Sequence, residues 1–239
     1  MKEATSKSVQ PETAAPRTSR KEGIVKEALG LTNVKPLRDR AREETSRKEG
    51  IAKEALGLTD VKTLRDRARE GIEDGAMTSG YKAKAETVIK LLNDALATEI
   101  VCVLRYKRHY FMATGISSLS VKGEFLQHAI EEQAHADKLA ERIVQLGGEP
   151  NLSPDGLLNR SHSEYVEGAS LAEMITEDLI AERIAIDSYR ELITYVGTDD
   201  PTTRTLLEWI LAQEEEHAED LASLLKELGQ HRPEAPPHR

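Results

Sequence analysis

The sequence predicts an all-α protein: an antiparallel four-helix bundle over residues 81–230, a long, largely disordered or loosely helical N-terminal tail over residues 1–80, and a disordered C-terminus over 231–239. Three observations carry that expectation. Four stretches of similar length repeat apolar residues at three- and four-residue steps, which gives each a helix with one face to bury. None of them alternates as a strand would. All six Tyr, both Phe and the only Trp lie at or after Tyr81, so residues 1–80 lack the large side chains that seed a core.

The first helix is expected over residues 82–112, with Leu92, Leu96, Glu99, Val103, Tyr106 and Tyr110 on one face. The second, over 120–146, aligns Phe125, Glu132, His135, Leu139 and Leu146 and stops at Gly147-Gly148. A longer connection over 149–170 follows, opened by Pro150 and Pro154. The third helix, 171–196, aligns Leu171, Ile175, Leu179, Glu182, Ile186, Tyr189 and Ile193. The fourth begins at Asp200-Pro201, a capping residue followed by proline at the first helical position, and ends near Gly229. Four such rods make an antiparallel bundle.

The tail carries a tandem repeat. Residues 19–45 and 46–71 are near copies offset by 27: Ser19-Arg20-Lys21-Glu22-Gly23-Ile24 returns as Ser46-Arg47-Lys48-Glu49-Gly50-Ile51. Two copies are too few for a solenoid. They predict short exposed helical pieces separated by Gly30 and Gly57, acting either as a duplicated docking motif or as a solvated spacer. The tail holds 17 Lys and Arg against 14 Asp and Glu, which leaves 16 against 28 for the rest. An acidic bundle with a tail of net charge +3 is a poor match for nucleic acid and a good one for cations. The single cysteine, Cys102, excludes an intrachain disulfide and a thiolate cluster and is expected to pack in the core. No apolar leader and no membrane-length apolar stretch is present, which predicts a cytoplasmic protein.

The chemistry-bearing pattern is a duplication inside the bundle. Glu99 precedes Glu132-x-x-His135 by 33 residues, and Glu182 precedes Glu214-x-x-His217 by 32. Tyr106 follows Glu99 by seven residues, as Tyr189 follows Glu182. Glu and His at i and i+3 share a helical face and can reach one cation, while the carboxylate can extend to a second. Two such pairs and one Glu from each other helix supply four carboxylates and two imidazoles, a set known for di-iron and di-manganese bundles. All six lie on apolar stripes, where unpaired carboxylates cost several kcal/mol each. Bound divalent cations remove that conflict, and this donor set suits Fe or Mn better than Zn.

Glu99-Ile100-Val101, Glu131-Glu132-x-x-His135-Ala136-Asp137, Glu141-Arg142-Ile143, Pro150-Asn151-Leu152 and Glu214-Glu215-Glu216-His217 resemble the bacterioferritin and Dps-like ferritin family over about residues 82–230. The resemblance implies that Glu132 and Glu214 bridge two metals, with Glu99 and His135 completing one and Glu182 and His217 the other. It also implies that Tyr106, beside the site, donates an electron or packs, and that His128 is a secondary metal contact. Gln133 stands where bacterioferritins carry their haem-ligating methionine, so haem is not expected. The stretch after Gly229 is short and Pro-rich rather than the fifth helix of 24-subunit ferritins. A hollow homo-oligomer of 12 or 24 subunits is expected.

The predicted activity is that of a ferroxidase and iron storage protein: two Fe ions per subunit, with Mn as an alternative, oxidised by O2 or H2O2. Two rivals stand beside it. A di-metal peroxidase or manganese catalase shares the bundle and its ligands, and a Dps-like protein would coat DNA through the basic tail. Leu31-Thr32-Asn33-Val34-Lys35-Pro36-Leu37-Arg38 and Leu58-Thr59-Asp60-Val61-Lys62-Thr63-Leu64-Arg65 loosely resemble the targeting peptides of encapsulin cargo. That resemblance implies a tail docking on a shell protein and a place inside a protein compartment.

Overall fold

The computed structural model describes residues 36–115 and 118–230. They form seven α-helices and one short 3-10 turn, Ile72–Asp74, and no strand is found among them. The described residues fall into two units that divide between Leu64 and Arg65.

In the first unit, α1 spans Leu37–Ala55 and crosses the junction of the two repeat copies. Separate pieces on either side of Gly57 were expected, and this helix ends before Gly57 while the next begins after it. Pro36 and Gly57 are the punctuating residues of this stretch, and between them Glu, Arg and Lys favour a helix strongly enough to carry Gly50. A second helix, α2, spans Val61–Arg67, and Asp60 caps it by accepting from the Thr63 amide at 3.0 Å. Gly30 and the other tail positions before residue 36 lie outside the described residues, as does 231–239.

The second unit holds the bundle: α3 (Ala85–Met112), α4 (Ser118–Gln145), α6 (Leu171–Val196) and α7 (Pro201–Gln230), with the single turn α5 (Leu157–Arg160) between α4 and α6. The third sequence-predicted helix coincides with α6, and the others shift by three residues or fewer at either end. Every neighbouring pair runs antiparallel, because α3 packs on α4 and α6, and α7 packs on the same two. The start of α6 therefore lies at the far end of the bundle from the end of α4, and the crossover must travel its whole length.

The crossover does so along α3, which satisfies its irregular backbone step by step. The Asn93 side chain holds Glu149 and Asn151, and Thr98 accepts from the His162 amide at 3.0 Å. Arg105 donates to the Glu164 carbonyl and Arg108 to that of Glu167, both at 2.7 Å. Helix α6 then starts in a capping box: Ser170 accepts from the Glu173 amide while the Glu173 carboxylate accepts from that of Ala169. Helix α7 starts at Asp200, which accepts from the Thr203 amide and hydroxyl, from Arg142 and from the Tyr81 hydroxyl. No described helix is long and apolar enough to cross a membrane.

The core has two apolar layers. One joins Leu92, Leu96, Leu139, Ile143, Leu192, Leu207 and Ile210, with Met77 and Tyr81 packed against it. The other joins Cys102, Tyr106, Phe125, Ala129, Ile175 and Leu221. Cys102 is free and buried, in the packing place expected of it. Along every bundle helix the predicted ligand positions fall between the two layers.

Candidate metal centre

The six residues singled out from the duplication meet in that middle layer. Glu99, Glu132, His135, Glu182, Glu214 and His217 are each at most 2% exposed. The histidine rings enter from α4 and α7 and present their Nδ1 atoms to the carboxylates. His135 Nδ1 lies 3.0 Å from Glu214, 3.4 Å from Glu132 and 3.4 Å from Glu99. His217 Nδ1 lies 3.3 Å from Glu132, 3.6 Å from Glu214 and 3.9 Å from Glu182. Glu132 and Glu214 thus stand between two half-sites, one completed by Glu99 and His135, the other by Glu182 and His217. In each half-site the donor atoms lie within 4.8 Å of one another, close enough to take one metal ion.

Electrostatics make the layer costly without cations. Burial and the charge on Glu132 raise Glu99 to about 8, and burial with Glu132 and Glu214 raises Glu182 well above the usual carboxylate range. Burial also pushes Glu132 and Glu214 upward, but the close approach of the two histidines and the neighbouring carboxyls outweighs it and leaves both lowered. Burial would lower the imidazoles; the surrounding carboxylates reverse that, raising His135 and pushing His217 up to about 12. Protons are therefore drawn in where cations are missing. Even so, Glu99 Oε2, Glu132 Oε1, Glu182 Oε2, both Glu214 oxygens and His217 Nδ1 have no hydrogen-bond partner. Four carboxylates with two neutral imidazoles carry four negative charges, which two divalent ions would balance, so the donor set fits a metal pair.

The surrounding contacts repeat the twofold relation. Tyr106 donates to Glu182 and Tyr189 donates to Glu99, each across the bundle. The residue before each Glu-x-x-His glutamate holds the other helix's histidine: Glu131 lies 2.9 Å from His217 Nε2, and Gln213 lies 3.1 Å from His135 Nε2. Such outer bonds fix ring orientation and leave Nδ1 facing inward. His128 lies one turn from Glu132, stacked on His217 at 4.1 Å, with Nδ1 3.2 Å from the Tyr106 hydroxyl. Burial and the nearby His217 lower it to about 4.

Sequence reasoning named Tyr106 and His128 beside the centre and left Tyr189, Glu131 and Gln213 unassigned. Their signal was the same duplication, since each occupies an equivalent place in its half. It missed a further buried group entirely. Arg105 donates to Asp178 at 2.8 Å, His109 Nδ1 meets the other Asp178 oxygen at 2.8 Å, and His109 Nε2 faces the Glu167 carbonyl. Nothing in the spacing of Arg105, His109 and Asp178 distinguishes them from surface charges.

A buried carboxylate and imidazole layer within four antiparallel helices defines a class of helical bundle able to hold two metal ions. The sequence pattern of the ferritin-like domain family matches residues 89–230, more than half of the chain, and the protein belongs to that family. The bacterioferritin of Brucella melitensis is 33% identical over 151 residues, 61% of this chain and 88% of that protein. That of Desulfovibrio desulfuricans is 27% identical, over 64% of this chain and 84% of that protein. Among solved structures, the dodecameric thioferritin of Bacteroides fragilis, a bacterioferritin-related protein, superposes with a TM-score of 0.60 at 31% identity, covering 62% of this chain and 90% of that one. The Dps of Thermosynechococcus elongatus, at 22% identity and a TM-score of 0.56 over 59% of this chain and 90% of that one, shares the fold.

Proposed function

We propose that this protein is a ferroxidase that oxidises Fe(II) to Fe(III) between Glu99, Glu132, His135, Glu182, Glu214 and His217, and stores the product within a hollow homo-oligomer. The observation that carries this reading is the layer of unpartnered carboxylate oxygens buried between two apolar layers, a cost that a pair of bound divalent cations offsets. Glu132 and Glu214 lie between the half-sites, where they would be shared by two ions, while Glu99 with His135 would hold one and Glu182 with His217 the other. Two Fe(II) supply two electrons, which reduce O2 to H2O2 or H2O2 to water with uptake of two protons. The residues supply charge and geometry, and Tyr106, hydrogen-bonded to Glu182, stands where it can donate a further electron.

Iron here is substrate and cargo. The likeness to bacterioferritins and to a dodecameric thioferritin supports storage in a closed shell of 12 or 24 copies. Exposed Phe111, Leu119, Ile130 and Val144 on α3 and α4 offer apolar surface for the subunit contacts. The tail repeats would dock a shell or another protein, and the cytoplasm is the expected compartment. The deciding experiment is Glu132→Ala with Glu214→Ala. The variant should keep the far-UV spectrum of a helical bundle and lose rapid ferrous oxidation and mineral loading; undiminished activity would sink the assignment.

A further inference from the structure

The twofold relation of the centre fails, in charge, at one pair of outer contacts. The residue before each Glu-x-x-His glutamate faces the opposite helix's histidine, and it is an acid in one half and an amide in the other. His217 Nε2 donates to Glu131 Oε2 at 2.9 Å, and His135 Nε2 donates to Gln213 Oε1 at 3.1 Å. Both bonds put the ring proton on Nε2, so each Nδ1 turns a lone pair toward the buried carboxylates. Gln127 donates to the second Glu131 oxygen at 2.6 Å, which keeps that carboxylate aimed at His217.

The two bonds do not act alike on the rings. A carboxylate draws the Nε2 proton toward itself and sends electron density to Nδ1, and a neutral amide does so far less. His217 is therefore the stronger donor of the pair. The six inner residues do not separate the half-sites in this way. Each half-site has one histidine and one glutamate of its own, both share Glu132 and Glu214, and each unshared glutamate accepts from one tyrosine across the bundle. The formal charge of the two half-sites differs only when Glu131 and Gln213 are counted.

We propose that Glu131 and Gln213 make the two ions unequal: the ion on Glu182 and His217 binds first and tightly, and the ion on Glu99 and His135 binds second and exchanges. Glu131 acts on the metal through His217 and is a positioning residue. The inference rests on the proposed function for the presence of an ion pair, and adds the order in which the pair fills and empties.

The test uses the full chain, stripped of metal, with Fe(II) affinity measured anaerobically in competition with a chromogenic ferrous chelator. Removing one unshared glutamate at a time reports each half-site, since Glu99→Ala leaves the His217 side whole and Glu182→Ala leaves the His135 side whole. The ion kept by Glu99→Ala should be held roughly tenfold more tightly than the ion kept by Glu182→Ala. Adding Glu131→Gln alone to the Glu99→Ala chain should bring its affinity down to that of Glu182→Ala. Adding Glu131→Gln together with Gln213→Glu to each chain should reverse the order, because the carboxylate changes sides while composition and net charge stay the same. His128, stacked on His217, and Trp209, edge-on to His135, are untouched by the exchange. A purely structural role for Glu131 and Gln213 would weaken both chains alike and leave the order in place. Equal affinities in Glu99→Ala and Glu182→Ala, or an order that the exchange does not reverse, overturns the proposal and leaves the proposed function standing. A wild-type chain that takes up no Fe(II) overturns both.

Discussion

Glu99→Gln in the metal-free protein is expected to raise stability while weakening metal binding. Glu99 has a folded pKa of about 8 against an ordinary value of 4.5. A carboxyl raised on folding is protonated more readily in the native state, so it favours folding at low pH and opposes it as pH climbs above the unfolded value. At pH 7 the gap between 4.5 and 7 corresponds to about 3 kcal/mol of destabilisation, an upper figure because neighbouring groups also take up protons. Glutamine keeps an oxygen to accept from Tyr189 and carries no charge to neutralise. Urea denaturation with excess EDTA, at fixed protein concentration and at pH 5 and pH 8, measures the effect. Wild type should lose stability between those two pH values, and the variant should lose less and exceed wild type at pH 8. A variant less stable than wild type at pH 8, or a wild type indifferent to pH, would refute the reasoning about the buried carboxylates.

The remaining expectations concern other parts of the same construction. Anaerobic Fe(II) binding should release roughly two to four protons per pair of ions in a weakly buffered pH-stat, since ions replace protons on Glu99, Glu182, His135 and His217. Release should vanish in the Glu132→Ala/Glu214→Ala variant. Arg105→Leu leaves the buried Asp178 carboxylate with His109 as its remaining partner and should cost about 3 kcal/mol by denaturant melts, whereas Arg105→Leu with Asp178→Asn should recover part of it. Gly168→Ala should destabilise by about 1–3 kcal/mol, because φ is +62° and an added Cβ would stand 2.8 Å from the Met174 backbone nitrogen.

How much was legible in the sequence differs between elements. The helices were, because an amphipathic helix announces itself through a 3.6-residue period that depends on nothing distant in the chain. Asp200-Pro201 and Gly147-Gly148 marked their ends for equally local reasons: a cap needs a short acceptor, and a terminating turn needs a residue that tolerates positive φ. In the tail the break at Gly57 was equally local, a glycine at positive φ between α1 and α2, whereas the passage of α1 through the junction of the two copies carried no signal of its own.

The six central residues were legible because a duplicated Glu-x-x-His on an apolar stripe contradicts its own surroundings unless something cationic sits there. Spacing along a helix fixed which side chains share a face, and so determined both the fold and the identity of the converging donors. Only the tertiary structure decided which partner stands across from each. It set Tyr189 on Glu99, Glu131 and Gln213 on the opposite histidines, Asp178 between Arg105 and His109, and Asp220 before His128. Those pairs join positions far apart in the chain, and their register follows from how four rods slide and rotate against one another as their apolar faces close, which no single helix's periodicity contains.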